Sequence, residues 1–205
     1  METILLTSAG TKIKEEICKI IPKSARIAYV TTASKVEKSI FYVEEDRQAL
    51  MKSGFIVEDI DIDGKKENEL RALLMDKDVI YVQGGNPFYL LKSVKASGFD
   101  VIVKELVKKG VIYVGVSAGS YIACPTIEMA YWKQRNRDNF GVTDLTGMAL
   151  VPFLVSVHFE PEYKEIIKKE ISKTKHPVWI LTDKQAILVR GGQACLVGYE
   201  EEVKL

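Results

Sequence analysis

Short apolar runs alternate with longer amphipathic stretches along most of the chain. The apolar runs, rich in Val, Ile and Tyr, predict strands at residues 4–7, 26–31, 56–60, 79–82, 112–116 and 178–181. The stretches between them space apolar residues as a helix does and predict helices at 12–21, 37–53, 67–75, 87–95 and 101–108. No repeat or Pro/Gly-rich linker interrupts this alternation. We therefore expect one α/β domain over residues 1–205, with a mainly parallel sheet and helices on both faces.

Composition narrows the possible partners. Lys and Arg number 29 and Asp and Glu number 28, so there is no basic field to attract nucleic acid or an anionic membrane. The partner we expect is small and close to neutral. Cys18, Cys124 and Cys195 are odd in number and lack C-x-x-C spacing, which favours buried thiols in a reducing compartment. We expect no metal and no cofactor, and the absence of a basic, apolar leader at the N-terminus predicts a cytoplasmic protein.

In a parallel sheet, ligands bind at the carboxyl ends of the strands, so the residues that follow each strand matter most. After strand 112–116 the chain reads Gly115-Val-Ser117-Ala-Gly119, followed by a segment that can be helical. This is the pattern of a nucleophile elbow, in which a strand-to-helix turn holds Ser117 in a strained conformation and flanking glycines leave room for the neighbouring chain. The alternative is a Gly/Ser turn that only reverses the chain.

A second junction follows strand 79–82, where the chain reads Gln-Gly84-Gly85-Asn86-Pro87. Asn86 and Pro87 are typical of the N-cap and the first residue of a helix. Glycine amides ahead of a helix can stabilise an oxyanion when they lie about 3 Å from it. The alternative is a tight strand–helix turn. A P-loop is disfavoured because no Gly-Lys-Ser/Thr follows.

The third junction supplies a general base. His158 ends an apolar run and precedes a predicted helix near residue 161, which would place it on the same rim as Ser117. The other histidine, His176, precedes strand 178–181 and is expected at the opposite end of the sheet. A serine hydroxyl needs a neighbouring base, and imidazole is suited to that role. The alternative for His158 is a half-buried histidine that caps a strand.

Together these residues resemble the peptidase E group of serine peptidases, peptidase family S51, which includes α-aspartyl dipeptidases and cyanophycinases. The resemblance rests on residues 83–88, 115–120, 123–126 and 151–158, and on the order glycine turn, serine, histidine. It implies a class I glutamine amidotransferase-like (flavodoxin-like) fold. It also implies Ser117 as nucleophile and His158 as base, with an oxyanion hole from the amides of Gly85 and Ala118, with Gly84 beside them. The amidotransferases use cysteine at the elbow, so the serine disfavours glutaminase chemistry.

The third member of a triad departs from the family pattern. The family places an acid roughly 15 to 17 positions after the serine, where this chain has Trp132, Lys133 and Gln134. Asp138 is the first candidate to orient His158 and Glu128 the second, and both have the alternative of being solvated surface acids. A weakened enzyme, or a binding or regulatory module on the same scaffold, is therefore an open alternative.

The segment after the elbow carries Arg135 and Arg137 beside aromatic residues. Arginine pairs with carboxylates through two parallel hydrogen bonds, so these two residues, together with Asn86, are candidate substrate-binding residues. A solvated basic loop is the alternative. We expect a serine peptidase of short peptides, a dipeptidase whose preference for N-terminal aspartate is open. Another amide or ester hydrolase is the rival enzyme, and the oligomeric state is open between monomer and homodimer.

Overall fold

A computed structural model describes residues 1–133 and 138–205 of the chain. Nine strands form two sheets within these residues, one of seven strands and one of two. The strands are β1 (Thr3–Thr7), β2 (Arg26–Val30), β3 (Ile56–Ile60), β4 (Val79–Val82), β5 (Ile112–Val116), β6 (Leu154–Ser156), β7 (Val178–Ile180), β8 (Gln185–Arg190) and β9 (Gln193–Gly198).

The large sheet has the order β3-β2-β4-β5-β1-β8-β9. Its first five strands run parallel, and the β8–β9 hairpin adds two antiparallel strands beside β1. The chain passes from β2 outward to β3 at the edge of the sheet, and then crosses back to β4 on the other side of β2. The direction in which strands are added reverses between β2 and β4. Doubly wound sheets open a crevice at such a switch point, beyond the carboxyl ends of the strands. The segment Gln83–Gly85 follows β4 at this point.

Helices cover both faces of this sheet. They are α1 (Lys14–Ile20), α2 (Phe41–Lys52), α3 (Glu67–Leu74), α4 (Pro87–Ser97), α5 (Phe99–Lys108), α6 (Ala118–Ala123) and α7 (Lys164–Ile171). Alternate strand residues divide the core, so that Ile4 and Leu6 join one cluster with α3 to α6 while Leu5 joins another with α1 and α2. The expected α/β fold with a mainly parallel sheet is confirmed.

The main differences from the sequence prediction lie at element ends and near the C-terminus. Helix α2 begins at Phe41 rather than at 37, because a 3-10 turn at Thr32–Ser34 is extended by a backbone hydrogen bond from Glu37 to Ser34. The β8–β9 hairpin was not predicted, although its turn at Gly191 and Gly192 is a recognised hairpin signal.

Three expectations about composition can be compared with the described residues. Cys124 is buried, but Cys18 and Cys195 are exposed, so the expectation of buried thiols is wrong for two of the three. In the described part of the chain, no helix is both long and apolar enough to cross a membrane. Within the same residues, no three His, Cys, Asp or Glu side chains group as metal ligands would.

Candidate active site

Ser117 lies between the end of β5 and the start of α6, in a strained backbone conformation. Its φ of 50° and ψ of −105° are rare for a residue with a side chain and cost of order 1–3 kcal/mol. The flanking glycines are required by close approach: a Cβ on Gly115 would lie 2.6 Å from the carbonyl oxygen of Gly119, and one on Gly119 would overlap the carbonyl of Val82. The turn therefore has the geometry of a nucleophile elbow.

Hydrogen bonds to neighbouring strands hold this turn in place. The amide of Ser117 donates to the carbonyl of Thr7 in β1 at 2.9 Å. The hydroxyl of Ser120 is 2.8 Å from the same carbonyl and 2.7 Å from that of Gly115. The hydroxyl of Tyr113 donates to Gly119 at 2.7 Å. The serine turn is therefore held by hydrogen bonds to β1 and β5, two central strands of the large sheet.

His158 reaches the serine from a separate sheet. It follows β6, which among the described residues pairs with β7 in the small sheet, so it does not lie on the rim of the large sheet as the sequence suggested. Its Nε2 nevertheless lies 2.9 Å from the Oγ of Ser117. The backbone of His158 has a φ of 54°, and the ammonium of Lys133 donates to the carbonyls of Val157 and His158. His176 precedes β7, as expected, and only its backbone amide has a described hydrogen bond.

Asp183 completes a chain of three polar side chains. Its Oδ1 lies 2.6 Å from Nδ1 of His158, and its Oδ2 accepts a hydrogen bond from Lys12 at 2.8 Å. The hydrogen bond with His158 is the largest influence on this carboxyl. With help from Lys12 and Ser8, it holds the pKa of Asp183 well below its ordinary value, although burial acts in the opposite direction. Asp183 is therefore a stable anion that can orient the imidazole and stabilise its protonated form.

Ser8 ties His158 and Asp183 together. Its hydroxyl accepts a hydrogen bond from the backbone amide of His158 at 2.8 Å and donates to Oδ1 of Asp183 at 2.8 Å. The same oxygen lies 3.2 Å from Nδ1 of His158. Ser8 directly follows β1, so the histidine loop is anchored to the large sheet through this side chain.

The structure brings neither acid predicted from the sequence to His158. Oδ1 of Asp138 accepts a hydrogen bond from the amide of Phe140 at 2.8 Å, and Glu128 lies half-buried in a 3-10 turn. Both predictions of the orienting acid are therefore corrected to Asp183. A signal was available, because Asp183 lies two residues after predicted strand 178–181, near the end of a strand where ligands and active-site groups collect.

The glycine turn after β4 contributes one of its two amides at most. The amide of Gly84 donates to the side-chain oxygen of Gln83 at 2.7 Å, so the prediction that it serves the oxyanion hole is wrong. Gly85 has a φ of 142°, and a Cβ there would overlap the carbonyl of Ala33. Gly85 lines the same cavities as Ser117, and Ala118 is the first residue of α6. Both remain candidate oxyanion-hole residues.

Asn86, one of the three predicted substrate-binding residues, lines neither of the cavities beside Ser117. Oδ1 of Asn86 accepts hydrogen bonds from the amides of Phe88 and Tyr89, and its Nδ2 donates to the carbonyl of Asp138. Asn86 is thus a buried N-cap whose side-chain oxygen and nitrogen both bond within the protein, which corrects its substrate-binding role. Arg135 and Arg137 lie outside the described residues.

Two cavities meet at Ser117 and His158. The larger has a volume of about 250 Å³ and extends over the glycine turn toward Asp46 and Glu37. The smaller, of about 20 Å³, lies on the other side, next to Lys133. Burial raises the pKa of Asp46 to about 6, even though hydrogen bonds from Tyr81 and Gln83 act to lower it. The larger cavity therefore has a carboxylate in its wall.

The chain is similar in sequence to known peptidases. A family model described as Peptidase family S51 matches residues 4–197. An uncharacterized peptidase of Listeria monocytogenes is 33% identical over 168 residues, which are 80% of this chain and 82% of that protein. A peptidase E of Citrobacter koseri is 35% identical over 91 residues, or 43% of this chain and 37% of that protein.

Solved structures are similar over almost the whole chain. A crystal structure of a candidate peptidase E from Listeria monocytogenes has a TM-score of 0.86 at 29% identity, and the match covers 98% of this chain and 100% of that one. A peptidase from an acI-B1 Actinobacterium has a TM-score of 0.72 at 17% identity, covering 97% and 88%. The second likeness supports the fold alone.

Proposed function

Because the chain belongs to peptidase family S51, we propose that it is a serine peptidase that hydrolyses short peptides through an acyl-enzyme at Ser117. The observation that carries the proposal is the continuous chain of hydrogen-bond distances from Ser117 Oγ through His158 to Asp183, at 2.9 Å and 2.6 Å. Nucleophile, base and orienting acid have the spatial arrangement that serine hydrolases on unrelated folds share.

The chemistry follows from these positions. His158 takes the hydroxyl proton as Ser117 attacks the peptide carbonyl, and Asp183 stabilises the resulting imidazolium. The negative oxygen of the tetrahedral intermediate would lie against the amides of Gly85 and Ala118. His158 then gives its proton to the leaving amine, which breaks the C–N bond and leaves an ester on Ser117. A water activated by His158 hydrolyses that ester.

Three features of the chain bear on the substrate. The larger cavity, of about 250 Å³, suits a short peptide segment, and the relatives described above are named as peptidases. Asp46 and Glu37 line this cavity, so it does not favour a negatively charged aspartyl side chain. A small peptide as partner and a cytoplasmic location, both expected from the sequence, belong to the same proposal.

The alternative of a retired binding module depended on a missing acid. Asp183 occupies the position that such an acid requires and is held as an anion by its neighbours. The strain at Ser117 also supports catalysis, because strained backbone persists where the surrounding structure enforces it, and such residues cluster at active sites.

The test is acylation of the purified protein by a fluorophosphonate, followed by hydrolysis of a panel of dipeptides and aminoacyl amides. We expect wild-type protein to be labelled and active. Ser117→Ala should abolish both, and His158→Ala should reduce both by at least about 10³-fold. Ser172→Ala, which changes a serine on the surface after α7, is the matched control and should behave as wild type. Absence of labelling and of turnover in the wild type would refute the proposal.

A further inference from the structure

The larger cavity beside Ser117 has a distinctive charge. Its wall includes the loop after β1, the glycine turn after β4 and side chains from the start of α2. The described residues that line it include two acids, Asp46 and Glu37, and neither a lysine nor an arginine. Glu37 already interacts with another group of the protein, which leaves Asp46 as the acid available to a ligand. Such a cavity attracts a positive group and repels a negative one.

Asp46 is the deeper of the two acids. It lies in the middle of α2, and only 4% of its surface is exposed. Its Oδ2 accepts hydrogen bonds from the hydroxyl of Tyr81 at 2.6 Å and from Nε2 of Gln83 at 2.7 Å. Among the described residues Asp46 forms no ion pair, and both of these hydrogen bonds go to the same oxygen. A buried carboxylate without a cation is costly, and a positive ligand would offset that cost.

Contacts through Gln83 and Gly84 link Asp46 to Ser117. Gln83 contacts Asp46 through Nε2, while its Oε1 accepts the hydrogen bond of the Gly84 amide. Gly84 is packed against the serine, since a Cβ on it would lie 3.1 Å from Cβ of Ser117. Gly10 and Asp46 both line the cavity, and a Cβ on Gly10 would overlap the hydroxyl of Tyr81 and lie 2.7 Å from Oδ2 of Asp46. Only a glycine therefore fits beside this carboxylate.

Resting on the proposed function, we propose that this cavity is the subsite for the ammonium group at the amino terminus of the substrate, with the Asp46 carboxylate as its counter-ion. An enzyme that cleaves next to the amino terminus needs such an anchor, because binding the free amine positions the scissile carbonyl at a fixed distance from it. A peptide with a blocked amine would leave Asp46 unpaired and would lose the charge-assisted hydrogen bond. The enzyme would then act on free amino termini and discriminate against blocked ones.

The experiment compares three chromogenic substrates that share one leaving group: alanine p-nitroanilide, its N-acetyl derivative and N-acetyl-lysine p-nitroanilide. We expect wild-type kcat/KM to be about 100-fold higher for the free amine than for either acetylated compound. Asp46→Asn keeps the size of the side chain but removes the charge, and it should reduce that ratio to below about 10. Glu45→Gln, an exposed neighbour on the same helix, is the matched control and should keep it.

A second measurement separates this inference from the proposed function. Ser117→Ala protein, which cannot form the acyl-enzyme, is titrated calorimetrically with alanyl-alanine and with N-acetyl-alanyl-alanine. Tighter binding of the free peptide by at least tenfold, lost in the Ser117→Ala, Asp46→Asn double variant, supports the subsite even if turnover is absent. Equal binding and equal turnover of free and acetylated compounds would overturn it. So would preference for the N-acetyl-lysyl compound, which would assign the cavity to a basic side chain.

Discussion

Asp183 contacts His158 and Asp46 lines the larger cavity beside Ser117, and the surroundings of these two aspartates act on their charge in opposite ways. Asp183 is partly exposed and touches Lys12, Ser8 and His158, so its pKa falls well below the ordinary value. Asp46 is deeply buried and receives hydrogen bonds only from neutral groups among the described residues, so burial raises its pKa to about 6.

The difference shows how one residue type can serve two purposes. A cation and two hydrogen bonds stabilise the charge of Asp183 within the protein, which fits a group that must stay ionised through every step of a reaction. The charge of Asp46 is only partly compensated, which fits a group that awaits a positive partner from outside. Three measurements test this contrast, in decreasing order of expected effect.

The largest effect is expected at Asp183. Asp183→Asn keeps the shape of the side chain but cannot stabilise the imidazolium or hold His158 in the required tautomer. We expect kcat to fall by about 10⁴-fold, as it does when the orienting aspartate of a serine protease is changed. Asp138→Asn is the matched control, because that carboxylate is bonded to the amide of Phe140, and its kcat should match the wild type. The reverse result would return the orienting role to Asp138.

The second effect concerns stability and Asp46. Its carboxyl has an ordinary pKa of 3.8, raised to about 6 in the folded protein, so the unfolded chain ionises first as pH rises. Between about pH 4 and pH 7, wild-type protein should therefore lose about 3 kcal/mol of stability relative to Asp46→Asn. Urea unfolding of both proteins across this range measures the difference.

Glu45→Gln is the control for that titration, since Glu45 is exposed on the same helix and raises the pKa of Asp46 only slightly as a neighbouring negative charge. Its stability should run nearly parallel to wild type. A difference between wild type and Asp46→Asn that stays constant from pH 4 to pH 7 would mean that the Asp46 carboxylate is well compensated, and the contrast between the two aspartates would fail.

The smallest effect is expected at Ser8. Ser8→Ala removes the hydroxyl that joins the amide of His158 to Asp183 but leaves the direct contact between their side chains. We expect a loss of about tenfold in kcat with little change in KM. A hydrogen bond to a charged group contributes about 1.5–3 kcal/mol, and the direct contact between His158 and Asp183 keeps part of the orientation of the imidazole. Ser8→Thr should restore most of the rate. A change in KM alone would place Ser8 in substrate binding instead.

The elbow and the orienting acid also differ in how well the sequence predicted them. Gly115, Ser117 and Gly119 are neighbours in the chain, and the close approaches that require glycine arise within one turn and the adjacent strand. Local pattern was therefore enough. Asp183 meets His158 only because β6 and β7 pair in a separate small sheet, and no local pattern encodes which loops that pairing brings together.

Gly84 and Asn86 show the same limit of prediction from local sequence. The sequence indicated a glycine turn followed by a helix N-cap, and both are present. It could not indicate that the side chain of Gln83 folds back onto the Gly84 amide. Nor could it show that the Asn86 amide spans from α4 to the carbonyl of Asp138. Both outcomes depend on side-chain rotamers that neighbouring elements select.

The sequence alone determined the strand and helix alternation, the parallel sheet, the strained serine and its histidine, because periodicity and glycine placement report local backbone geometry. Only the tertiary structure decided which acid orients the histidine, which glycine amide is occupied, and that Asp46 faces the cavity beside the serine. The glycine amide is occupied by the side chain of the preceding Gln83, whose rotamer neighbouring elements select. The two aspartates depend on contacts between segments far apart in the chain, where burial and the choice of partner, rather than residue type, fix the charge of a carboxylate.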